Sequence, residues 1–202
     1  MTVIHTRLIL ASASPWRAAM LRNAGITVEA IPAMIDERAV EETLEGSEIG
    51  PDDIALVLSQ AKADEVSSRF PSAAIIGADQ TLSLGGEILH KPRSMDEAID
   101  RLLLLSGKTH QLNSGVCLVQ DGEILWSHVE VTHITFRKLD PGFVGRHLAE
   151  VGAKALTSVG AYQVEGMGAQ LIERMEGDFF SVIGLPLLPL LAQLRERGFI
   201  DA

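Results

Sequence analysis

The chain has 202 residues, 47% of them hydrophobic, with 17 Lys and Arg against 27 Asp and Glu, which fits one globular domain over 1–202, or two small lobes sharing one core, and excludes a linker or a fibre. A formal charge of −10 with no basic cluster argues against electrostatic binding along a nucleic-acid backbone, because nothing could neutralise a row of phosphates. A small anionic ligand stays open, held by a few local cations or a metal ion against the overall field.

In chain order, residues 7–11 form a short apolar run with the look of a buried strand. That run is too short for a secretory leader, although Ala11-Ser12-Ala13 superficially resembles a cleavage site. Ser14-Pro15 supplies an N-cap followed by proline at the first helical position, so a helix starts there, runs through Ala18, Leu21 and Ala24, and stops at Gly25. A second strand is expected over 27–31. Residues 35–50 are acidic and poorly periodic, so a surface loop is expected. Helical periodicity returns over 52–69 through Ile54, Leu58, Ala61 and Val66. A compact strand over 73–78 ends at Asp79, and 82–89 reads as a hairpin turned at Gly85-Gly86.

Ser94 opens a helix reaching Leu105 and Gly107, and 111–119 with 123–136 form a long hairpin around Asp121-Gly122. Asp140-Pro141 begins another helix that Gly152 ends; a Gly-rich stretch over 160–168 precedes a short strand at 170–175, and Gly184-Leu-Pro186 opens the last helix. The apolar stretch 185–194 is interrupted by Pro186 and Pro189 and is too short to span a bilayer, so no membrane partner is expected. Cys117, the one cysteine, excludes an internal disulfide and a Cys-based zinc site, and a reducing, cytoplasmic setting is the default.

Few residues carry chemistry. Ser12-Ala13-Ser14-Pro15-Trp16-Arg17 gathers backbone N–H groups, two hydroxyls and a guanidinium where a strand passes into a helix, which is how a helix N-terminus holds phosphate; on spacing alone the favoured reading is an ordinary Ser-Pro cap beside a solvated arginine. Asp79 stands at the expected end of a buried strand, where open α/β sheets bind ligands and a carboxylate can orient or deprotonate water or hold a divalent cation; a turn-capping aspartate is the alternative. Glu37, Lys62 and Lys91 are single charges that by themselves read as solvated surface. The histidines, His5, His90, His110, His128, His133 and His147, have no metal-ligand spacing, and no Walker loop, nucleophile elbow or Cys/His pair supports a covalent mechanism.

Taken together, the segments LILASASPWR at 8–17, IDE at 35–37, AKA at 61–63, IGADQ at 76–80, GEILHKP at 86–92, LSG at 105–107 with His110, GAY at 160–162, EG at 165–166 and VIGLP at 182–186 resemble the Maf family of nucleoside triphosphate pyrophosphatases. The resemblance runs nearly end to end in order and spacing. It implies an α/β fold of the Maf/ITPase-like kind, an elongated twisted mixed sheet flanked by helices with two lobes around a central cleft. It implies hydrolysis of a nucleoside triphosphate to the monophosphate and pyrophosphate with a divalent metal cation, Mg²⁺, Mn²⁺ or Co²⁺, and a homodimer.

Carried over, Asp79 resembles the family's proton acceptor for the attacking water, and Glu37 a carboxylate that joins Asp79 near the metal. Arg17, Lys62 and Lys91 match the triphosphate-holding cations, and Ser12 and Ser14 the phosphate-binding turn. A triphosphate bears close to four negative charges, so three cations and a metal suit its binding and the charge developing on pyrophosphate.

Three positions follow substrate in this family: Arg, Thr and Gln in a branch acting on dTTP and UTP, Trp, Gln and Glu in one acting on 7-methyl-GTP. Here they are Trp16, Gln80 and Glu165. A methylated guanine is cationic, so an indole to stack on and a carboxylate nearby suit it. Against this, Tyr162 resembles the pyrimidine branch, whereas 155–159 lacks that branch's Lys-Ala. Two alternatives therefore stand beside a 7-methyl-GTP pyrophosphatase: a dTTP/UTP or broad-specificity pyrophosphatase, and a nucleotide-binding regulator of cell division without turnover.

Overall fold

The structure, a computed structural model, describes residues 6–44, 46 and 49–201; His5 and positions 45, 47 and 48 of the expected loop lie outside them. β1 (Leu8–Ala11) is apolar on both faces, as is the start of β3 (Ala74–Leu84), because both strands are covered on both sides. They pair in parallel from Leu8 opposite Ala74 to Ala11 opposite Gly77, and β2 (Glu29–Ala30) adds a short parallel edge to β1. On its other side β3 pairs antiparallel with β5 (Thr109–Gln120), followed by β6 (Glu123–Phe136) and β7 (Ile172–Glu176). β4 (Glu87–Leu89) folds back onto the last residues of β3. The sheet is mixed and seven-stranded, in the order β2-β1-β3-β5-β6-β7 with β4 also on β3.

Alternation along β3 sorts the layers. Ile76 and Ala78 join Ala18 and Leu21 of α1 (Pro15–Asn23) and Leu190 and Leu194 of α7 (Leu187–Glu196) in one core. Further along the same face, Leu82 enters a second core with Leu102 and Leu105 of α4 (Met95–Leu105), Leu148 of α5 (Pro141–Val151), Ile134 and Phe136. Gln80 lies between them, so β3 and β5 run through both lobes while the helices above them part. On the opposite face Ala63 and Val66 of α3 (Pro51–Arg69) pack on Ile9, Ile75 and Cys117.

That helix has no clearance. A Cβ at Gly77 would stand 2.1 Å from the Ser59 carbonyl oxygen, and one at Gly115 2.4 Å from that of Ala55, so two missing side chains let α3 lie directly on β3 and β5.

Most expected elements are present. Ser14, Ser94 and Asp140 cap α1, α4 and α5 through side-chain oxygens, and Asp121 and Gly122 both have positive φ, as a two-residue hairpin turn requires. Three expectations are corrected, and one further element had no reading in the sequence. Residues 35–50 are not simply loop, because Asp36 accepts from the N–H groups of Arg38 and Ala39 and starts α2 (Glu37–Glu42), a helix that buries no side chain and so has no apolar period to read. β3 does not end at Asp79 but continues to Leu84, since β5 pairs with it throughout. The strand expected over 27–31 shrinks to β2. Asp178 caps a short α6 (Phe179–Ile183) ahead of the last helix, unread because five residues carry no period. Among the described residues no helix is long and apolar enough to cross a membrane.

One buried polar pair makes the second core sensitive to pH. His110 Nε2 lies 2.9 Å from the Tyr162 hydroxyl, with Phe136 edge-on to the imidazole, and burial pushes His110 down to about 4. The folded chain then binds fewer protons than the unfolded chain between that value and the ordinary 6.5. Stability from this group is therefore full above the ordinary value and lost as pH falls towards the folded one. Urea unfolding from pH 7 to pH 5 is expected to show a fall of about 2 kcal/mol from this group, absent in His110→Phe. Gly77→Ala is expected to lower stability by about 2–3 kcal/mol in the same assay at pH 7, by overpacking under α3.

Candidate active site

β1 stops opposite Gly77 and β4 reaches back only as far as Leu82, so residues 78–81 of β3 have no strand on that edge. A buried backbone carbonyl left there needs a donor. Arg17 supplies it: Nη1 donates to the Ala78 oxygen at 2.8 Å and to Ser12 Oγ at 3.1 Å, while Nε donates to the Gly184 oxygen at 2.7 Å. One guanidinium thus ties the β1–α1 turn, β3 and the link between α6 and α7. Burial pulls its pKa down, with Asp79 and Glu37 acting the other way. It stays charged, since an arginine starts so far above neutrality.

The two serines serve the turn first. Ser12 Oγ accepts from the Ser14 N–H at 3.2 Å, and Ser14 Oγ accepts from the Arg17 N–H at 3.4 Å, so the ordinary cap is present while both residues also line the cavity.

Asp79 points to the α3 side of the sheet, where Lys62 reaches it. The Lys62 ammonium donates to Asp79 Oδ1 and lies 2.7 Å from Glu37 Oε1, bridging a buried carboxylate on β3 to a half-exposed one at the start of α2. Burial works to raise the Glu37 carboxyl, but Lys62, Lys91 and Arg17 outweigh it and hold Glu37 below the usual carboxylate range. Glu37 therefore stays ionised throughout the neutral range. Lys91 is exposed on the cavity wall and makes no hydrogen bond among the described residues.

These residues line one cavity of about 700 Å³ together with Trp16, Gln80 and Glu165. All ten residues singled out in the sequence thus meet at a single cavity. Trp16 is 38% exposed, and Glu165 is exposed on the opposite strap, residues 154–165. Gln80 is different. Its Nε2 donates to Ser114 Oγ at 2.9 Å and to the carbonyl oxygens of Ser181 and Val182 at 2.8 and 3.2 Å, contacts that only the NH₂ end can make. Oε1 is left as the polar atom of that side chain free to meet a ligand.

Sequence reasoning missed three groups on the wall. Glu41 lies one turn beyond Glu37 with His90 Nε2 3.6 Å away; burial, helped by Asp79 and Glu37 and opposed by His90, pushes its carboxyl above the usual range. Lys154 is a further cavity cation. The helical spacing of Glu37 and Glu41 was the signal for the first, hidden because 35–50 read as loop. Tyr162, by contrast, is core: its hydroxyl meets His110 and its ring packs on Phe136.

The donor set suits a hard divalent cation. Glu37 and Asp79 converge on one point, and two carboxylates completed by phosphate oxygens and water are an arrangement Mg²⁺ commonly takes. Among the described residues no group of three His, Cys, Asp or Glu side chains gathers to hold a metal by itself.

The family profile described as Maf-like protein matches residues 7–197. The chain belongs to the Maf family. Among curated Maf relatives it is similar to a protein named 7-methyl-GTP pyrophosphatase from Mesorhizobium japonicum, 62% identical over 96% of this chain and 98% of that one. Another of the same name, from Rhizobium meliloti, is 57% identical over the same shares. A solved dITP/XTP pyrophosphatase from Mycobacterium abscessus aligns over 72% of this chain and 94% of its own at 16% identity with a TM-score of 0.38, too slight a likeness to carry an argument.

Arg17→Lys keeps the charge but cannot reproduce a fork that meets Ala78, Ser12 and Gly184 together. Urea unfolding is expected to show a loss of about 2–3 kcal/mol.

Proposed function

We propose that this chain is a nucleoside triphosphate pyrophosphatase that hydrolyses the α–β phosphate bond of 7-methyl-GTP, or of a related modified nucleotide, to the monophosphate and pyrophosphate, in the cytoplasm and as a homodimer. The observation that carries it is one cavity lined by a carboxylate–lysine–carboxylate cluster on the α3 side of β3 and by Trp16, Gln80 and Glu165. The similarly named full-length relatives support the same substrate.

In this reading Asp79 accepts the proton of a water whose oxygen forms the new bond to the α-phosphorus as the bond to the bridging oxygen breaks. Lys62, Lys91 and the α1 N-terminus hold the phosphates and offset the charge that passes to pyrophosphate. Arg17 keeps the wall in place and adds a positive field. A divalent cation, Mg²⁺, Mn²⁺ or Co²⁺, would be held by Glu37 and Asp79 and would supply charge neutralisation and polarisation of the phosphates.

The base end fits guanine by its donors. The Watson–Crick edge of 7-methylguanine offers N1–H and the N2 amino group as donors, and the cavity lining includes two acceptors to receive them, Gln80 Oε1 and the Glu165 carboxylate. Uracil and thymine present a single donor there, N3–H between two carbonyls, so they satisfy one of two such acceptors where 7-methylguanine satisfies both. The Trp16 indole is exposed enough to stack on a cationic ring. Tyr162, the residue that resembled the pyrimidine branch, is 6% exposed with its hydroxyl engaged by His110.

Pyrophosphate release from 7-methyl-GTP, GTP, dTTP, UTP and CTP, with Mg²⁺ or Mn²⁺ and an EDTA control, is expected to favour 7-methyl-GTP and to stop with EDTA. Preference for pyrimidines would overturn the substrate, and binding without turnover of any nucleotide would favour a regulator. Asp79→Asn is expected to bind nucleotide yet lose about three or more orders of magnitude in turnover. Trp16→Arg with Gln80→Thr and Glu165→Gln is expected to move preference towards dTTP and UTP, read as the ratio of kcat/KM values.

A further inference from the structure

The point where Glu37 and Asp79 converge is taken by a side chain of the protein itself. Lys62 is 9% exposed, donates to Asp79 and lies 2.7 Å from Glu37, so its ammonium already neutralises one of the two carboxylate charges. A divalent cation drawn to the same pair would meet that ammonium at contact range, where like charges inside a partly dry cavity repel strongly. The backbone offers no escape, because α3 is seated on Gly77 and Gly115 without clearance. The Lys62 side chain must rotate instead, and it needs another acceptor to rotate to. A triphosphate entering from the Lys91 side would bring several.

We propose that Lys62 is the resident cation of the nucleotide-free site, holding Glu37 and Asp79 until a triphosphate takes its ammonium, so that a divalent cation and the nucleotide bind as a coupled pair. The inference rests on the reading of this cavity as a nucleotide site. Its consequence is reciprocal: whatever factor the nucleotide adds to the cation's affinity, the cation adds to the nucleotide's. It also means that Asp79, while it accepts from Lys62, is a poor acceptor for a proton from water, and becomes one as substrate arrives.

The test is Mn²⁺ binding to the full chain without nucleotide, followed by the electron paramagnetic resonance signal of free Mn²⁺. Wild type is expected to bind weakly, and Lys62→Met, which keeps the length of the side chain and removes its charge, about tenfold or more tightly. Adding Glu37→Gln to Lys62→Met should cancel the gain, which places the ion at this pair. Equal Mn²⁺ affinity of wild type and a folded Lys62→Met would overturn the proposal. Should that variant fail to fold, wild type alone decides: an α,β-methylene triphosphate of 7-methylguanosine, corrected for Mn²⁺ bound by the analogue itself, should tighten Mn²⁺ binding about tenfold or more, and an unchanged affinity overturns the proposal. The nucleotide-free comparison does not depend on turnover, so it stands apart from failure of the pyrophosphatase reading.

Discussion

A sheet edge broken over residues 78–81 has to be closed by something other than a strand, and the Arg17 guanidinium closes it. An interruption in a ladder exposes backbone groups that are costly to bury unpaired. Here the gap between β1 and β4 is bridged by a side chain from the first turn of α1, which also reaches the Gly184 carbonyl. The cavity exists because the gap does. A continuous edge at β3 would have filled the space into which Asp79, Gln80 and the α1 N-terminus open.

Electrostatics then divides the cavity. The chain as a whole carries −10, a field that disfavours an anionic ligand, yet Arg17, Lys62, Lys91 and Lys154 all line this one cavity. A local cluster of cations with low-dielectric backing outweighs a diffuse negative field that salt screens over about 10 Å. The acidic residues at the cavity are not simply repulsive: Glu37 and Asp79 are both engaged with Lys62.

Much of this was legible in the sequence, for identifiable reasons. Caps declare themselves locally, so the starts of α1, α4 and α5 could be read from Ser14, Ser94 and Asp140. The full set of ten candidate site residues came from the resemblance to the Maf family that these segments carry together, since Glu37, Lys62 and Lys91 taken singly read as surface. What stayed hidden depends on distant partners. β3 continues past Asp79 because β5 pairs with it, a fact stored some 30 residues away in a strand register. The anchoring of Arg17 on Ala78 and Gly184, and the commitment of the Gln80 amide to α6, have no local signature. α2 and α6 are too short to show a period.

The side chains of the cavity differ in how firmly they are built in. Arg17, Lys62 and Gln80 are each tied by hydrogen bonds or ion pairs to more than one element, and Asp79 is held by Lys62, so these side chains are part of the framework. Trp16 and Glu165 stand exposed at the rim and make no hydrogen bond among the described residues through their side chains. Divergence within such a scaffold is therefore unequal: Trp16 and Glu165 can drift at little cost to folding, while Gln80 and the Arg17, Lys62 and Asp79 cluster are locked to the architecture that carries them.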